Sequence, residues 1–134
     1  MGFIQPYDIA VLVLGLTGFL FLMQLIVVDI VALKKKHTPG YPIESDHNDM
    51  LFRAARALAN SNESAAIFML LVAFSILSSA DPSWLNVACV VYFLGRLGHM
   101  LCYYANAKLW RSISFSISLL GLVAMFVIGI IAWL

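Results

Sequence analysis

Charge is what this sequence has least of. Asp, Glu, Lys and Arg make up 11% of its 134 residues, and hydrophobic residues make up 63%. A soluble domain carries roughly 25% charged residues, so the shortfall excludes that class and places the chain in a membrane. Cysteine is nearly absent. Cys89 and Cys102 both fall in one apolar segment, too far apart to pair within a straight helix. With no CxxC and no HExxH, no metal site is expected. The eight Lys and Arg residues form no aromatic-interleaved patch and the net charge is only +1, which argues against nucleic acid as a partner. Residues 1–8 lack the basic stretch that opens a signal peptide, and the apolar run behind them is too long for one, so that run reads as a retained membrane helix. Gly2 has no Ser or Thr four residues on, so myristoylation is not indicated.

What is present is a set of four apolar segments, at about 9–33, 51–77, 84–104 and 110–134. Each supplies the ~20 residues a bilayer span requires. The expected fold is an all-α, multi-pass integral membrane protein: an up-down four-helix bundle forming a single domain over 1–134. Thr38-Pro39-Gly40-Tyr41-Pro42 makes the first connection turn-rich, and Asp81-Pro82-Ser83 signals the start of the third helix. Basic residues set the orientation. Lys34–Lys36 lie in the first connection and Lys108 in the third, while the second connection has none. The first and third connections are therefore expected to face the cytoplasm.

Two polar stripes interrupt the spans. Arg53, Arg56, Asn60 and Glu63 share an arc of roughly 80° on the second helix, and Arg96, His99 and Tyr103 share about 60° on the third. Counted at ~1.5 Å per residue from the cytoplasmic ends, Glu63 lies ~18 Å deep and Arg96 ~15 Å. Asn60 and His99 fall at ~14 and ~11 Å, so the two ladders descend together on antiparallel helices. A direct Glu63–Arg96 ion pair is the expected consequence, because neither charge stays unpaired in hydrocarbon.

A purely structural network gluing two helices accounts for that pair alone. It does not account for Arg53, Arg56 and Arg111, which add cations toward the cytoplasmic end without matching acids; Asp29, Asp46 and Asp49 lie near helix ends or in the connection, within reach of water or the lysines. Surplus guanidinium implies an anionic ligand arriving from the cytoplasm, with carboxylates or phosphates to be clamped. Glu63 and Asn60 suggest that it also presents a cation or amide donors, as a peptide-like zwitterion would. Among residues that read both ways, His99 could simply pack between helices, and Tyr104 reads as an interfacial aromatic. Ser114, Ser116 and Ser118 read as serines bonded back to their own helix.

Arg56-Ala57-x-x-Asn60-x-x-Glu63 in the second span resembles the signature of the membrane-associated proteins in eicosanoid and glutathione metabolism, the MAPEG family. So do Arg96-x-x-His99-x-x-x-Tyr103 in the third span and Arg111-Ser112 at the head of the fourth. The pattern is nearest the branch of microsomal glutathione transferases and prostaglandin E synthases. The resemblance implies a homotrimer with glutathione sites between subunits, open to the cytoplasm. It implies that Arg53, Arg56, Asn60, Glu63, Arg96, His99 and Tyr103 bind or orient glutathione, and that Arg111 and Ser112 act at its sulfur. Ala32 and Ala59 stand where prostaglandin synthases carry arginines, and Phe115 where a tyrosine is usual, which weighs against prostaglandin isomerisation.

The function expected is glutathione transfer to hydrophobic electrophiles, or reduction of lipid hydroperoxides, with the apolar co-substrate supplied by membrane lipid. The alternative is a non-catalytic lipid- or partner-binding scaffold of the same fold. A small drug exporter is disfavoured, because such proteins place their deep acid in the first span and here it is Glu63, in the second. Short termini without targeting signals point to a bacterial inner membrane.

Overall fold

The computed structural model describes residues 2–134. A 3-10 turn at Gln5–Tyr7 leads into four long helices: α1 (Asp8–Lys34), α2 (Met50–Leu77), α3 (Pro82–Tyr104) and α4 (Lys108–Trp133). All four are long and apolar enough to cross a membrane, and they run up and down with short connections after α2 and α3. The expected spans agree to within two residues at every end.

Local chemistry explains where α2 and α3 start. Asp49 accepts from the Leu51 amide at 2.7 Å, and its carboxylate also takes a hydrogen bond from Lys35, tying the end of α1 to the start of α2. Asp81 accepts from the amides of Ser83 and Trp84 at 2.9 and 3.1 Å, with Pro82 in the first turn, where its missing N–H costs nothing. The three inter-helix ends stop alike. Lys36, Ser79 and Asn106 take left-handed backbone angles, φ 54° to 56°. The next amide in each case, from His37, Ala80 and Ala107, then bonds back to the carbonyls of Ala32, Ser75 and Cys102. This closure satisfies carbonyls that the helix ends leave without intrahelical partners.

The helices pack through small residues as well as through an apolar core. α3 and α4 approach closest: a Cβ on Gly95 would lie 2.5 Å from the Ser118 backbone nitrogen, and one on Gly121 2.8 Å from that of Tyr92. Close backbone approach of this kind is how helices associate in lipid, where burying apolar surface gives little advantage. Phe68, Val72, Leu85, Cys89, Tyr92 and Met125 fill the interior, while Leu12, Phe19, Leu70 and Ile131 face outward. At the end away from the lysines, the Tyr7 hydroxyl donates to the Ala80 carbonyl at 2.6 Å. There Asn86 holds the start of α1, donating to the Pro6 carbonyl and accepting from the Ala10 amide.

Candidate active site

The most buried side chain of the polar stripes is Arg96, which is fully buried. Its two terminal nitrogens both donate to the Asn60 side-chain oxygen at 2.9 Å, and one also donates to the Ser61 hydroxyl at 3.1 Å. The expected direct pair with Glu63 is not formed: among the described residues the only ion pair is Lys35–Asp49. Glu63 is exposed on the outer flank of α2 and accepts instead from the Asn60 amide nitrogen at 3.3 Å. Asn60 thus stands between them as a relay, its oxygen turned to the guanidinium and its nitrogen to the carboxylate. The physical reason lies in the helix geometry. Glu63 is nearly a turn beyond Asn60 and points away from α3, whereas Asn60 and Ser61 project toward it. Two neutral acceptors suffice for Arg96, and the desolvation of a second buried charge is avoided.

A second cluster forms where α3 meets α4. His99 is 3% exposed. Its ring meets Tyr103 edge to face at 5.0 Å and lies 6.2 Å from Phe115. The Arg111 guanidinium carbon sits 4.5 Å above the centre of the Tyr103 ring. His99 lies one turn from Arg96 on the same face of α3, so it joins the two clusters. Arg96 Nε and His99 Nδ1 remain buried without partners.

Other expected residues lie at the margins. Arg56 is exposed on α2 and makes no ion pair among the described residues. Arg53 donates to the His47 carbonyl at 2.7 Å and packs on the Met50 sulfur, which braces the first connection. Ser112 is exposed, its hydroxyl bonded back to the Lys108 carbonyl at 3.3 Å. Outside the membrane, the Lys35 ammonium beside Asp49, aided by the Leu51 amide, holds the Asp49 carboxyl below the usual carboxylate range.

Several participants escaped the sequence reading. Ser61 completes the Arg96 shell. The Ser64 and Tyr92 hydroxyls bond at 2.9 Å, and Tyr92 stacks on Phe68 with ring centres 4.2 Å apart. Tyr92 continues the α3 stripe at i−4 from Arg96, a spacing that could have revealed it. Gln24, in α1, is fully buried with both amide atoms unpartnered. A glutamine inside a span is itself the signal.

A four-helix membrane protein with a buried arginine network, flanked by further arginines toward one end, is the class that fold and side chains define. Within it, the MAPEG family model matches residues 9–131, and the chain belongs to the MAPEG family. That family includes glutathione transferases and also non-catalytic members. No curated protein is significantly similar to the chain.

Proposed function

We propose that this protein is a glutathione-dependent membrane transferase that conjugates hydrophobic electrophiles, with reduction of lipid hydroperoxides as a related activity. The observation that carries the reading is Arg111. It is half-buried and ring-stacked on Tyr103, and no carboxylate neutralises it among the described residues. A guanidinium kept free of acids in a low-dielectric setting favours an anion beside it, and a thiolate is such an anion.

The remaining donors suit the rest of the tripeptide. Arg53 and Arg56 can receive its carboxylates, and Glu63 and Asn60 its ammonium and amide groups. Arg96, Nε unpartnered, holds Asn60 in the required orientation. His99 and Tyr103 line the α3 side, and Ser112 stands beside Arg111. In the reaction the thiolate sulfur attacks the electrophilic carbon, a carbon–sulfur bond forms, and the leaving group departs with its electron pair. The thiol proton has already gone to bulk water.

Assembly as a homotrimer is part of this proposal, since Arg56 and Glu63 face outward at membrane depth and need cover. So are a single domain over 1–134, a site open to the cytoplasm, and residence in a bacterial inner membrane. The test is calorimetric binding of glutathione to the detergent-solubilised protein, together with conjugation of a chlorinated nitrobenzene. Saturable binding with turnover is expected. Absence of both would overturn the reading and favour a scaffold, in which the in-house satisfaction of Arg96 by Asn60 and Ser61 would be purely structural.

A further inference from the structure

The α3–α4 seam brings four side chains into a two-rung ladder that neither helix could make alone. Arg111 and Phe115 are one turn apart on α4, and Tyr103 and His99 one turn apart on α3. Arg111 lies over Tyr103, Phe115 lies against His99, and His99 meets Tyr103 edge to face. The register is fixed by residues without bulk. Gly95 abuts the backbone of Ser118 and Gly98 faces Ser114. Running antiparallel from those contacts, residue 99 falls opposite 115 and residue 103 opposite 111.

We infer that Tyr103 acts through the face of its ring rather than through its hydroxyl, as a positioning residue for Arg111. The Phe115–His99–Tyr103 stack holds that ring. This deepens the proposed function and rests on it, because it supposes that Arg111 lies beside the glutathione sulfur. Three features support it. The 4.5 Å separation is within cation–π range. Tyr103 is buried and held edge-on by His99, so the ring cannot rotate away from the guanidinium without disturbing a buried neighbour. Arginine side chains are otherwise mobile, and a planar guanidinium laid on a ring loses that freedom before the ligand arrives. Phe115, lacking a hydroxyl, offers His99 an apolar ring and no hydrogen bond.

The thiol titration of bound glutathione tests this, followed by thiolate absorbance in saturated protein. Tyr103→Leu should raise the midpoint by about half a unit, a roughly threefold loss of thiolate at fixed pH. Tyr103→Phe should keep the wild-type midpoint whatever it does to affinity. Phenylalanines carrying successive fluorines at position 103 preserve shape while draining charge from the ring face. They should raise the midpoint stepwise even if the leucine variant misfolds. Equal shifts in the phenylalanine and leucine variants would assign the effect to the hydroxyl and overturn the inference, as would a flat fluorine series. Arg111→Ala separates the two levels. A midpoint raised by at least about one unit upholds the thiolate reading independently of Tyr103. An unchanged midpoint would overturn both.

Discussion

At the residue scale, the distinction that matters is between a charge paired with a charge and a charge held by neutral groups. Spacing alone placed Arg96 and Glu63 on facing stripes at matched depth, and the structure links them only through Asn60. What spacing could not resolve is which atom each guanidinium nitrogen meets, since a residue on either side of the stripe changes the partner. Asn60 and Ser61 occupy that place. Their roles reverse the order of mutational damage that an ion pair would give. Asn60→Ala strips a fully buried cation of its main acceptor and should cost about 2–4 kcal/mol. Glu63→Gln removes a carboxylate that accepts a single 3.3 Å bond and should cost under about 1 kcal/mol, while weakening glutathione binding. Thermal melts in detergent, run side by side, check the ranking. Equal losses would restore the direct pair.

At the element scale, the spans were legible from their apolar length, and the start of α3 also because capping is local chemistry. Asp81-Pro82-Ser83 fixes the beginning of α3 within its own three residues. Which helices pack most tightly was not legible from apolar pattern, because spans that are apolar nearly all round give no stripe to read. The usable signal was Gly95, Gly98 and Gly121, small residues at helical spacing. Gly95→Ala would drive a Cβ into the Ser118 backbone and should destabilise by roughly 1–3 kcal/mol. Gly18→Ala, with open space around it, should be neutral or stabilising by up to about 1 kcal/mol. Melting temperatures of the two variants decide it.

The connection from α1 to α2 adds a pH dependence. Asp49 has a folded-state pKa held below its ordinary value of 3.8, chiefly by Lys35. Its stabilisation is therefore fully present above that ordinary value and lost as pH falls through the lower, folded one. Hydrogen exchange of residues 36–48, corrected for intrinsic rates, should lose protection in that acid window. Asp49→Asn should lack protection at every pH and show no further change there.

For the molecule as a whole, composition identified the membrane and the lysines suggested an orientation. The number of subunits left no comparable mark, because lipid and a neighbouring apolar helix look alike to a sequence. The outward stripe of α2 is the exception. Arg56 and Glu63 are exposed at depths of roughly 9 and 20 Å from the start of α2, where exposure to hydrocarbon is costly. Arg111 lies on the α3–α4 seam, over Tyr103, rather than on that stripe. If a second copy covers the α2 stripe, one glutathione site draws Arg56 from one subunit and Arg111 from its neighbour. Arg56→Ala and Arg111→Ala should each be inactive alone. Co-assembled and isolated as mixed trimers, they should regain about a third of wild-type activity, since every mixed trimer keeps one of its three interfaces with both arginines intact. Co-expression with two different affinity tags, followed by tandem purification and the conjugation assay, measures it. Mixed assemblies with no regained turnover would put both arginines in a site within one subunit, and the cover for α2 would have to come from something other than a second copy.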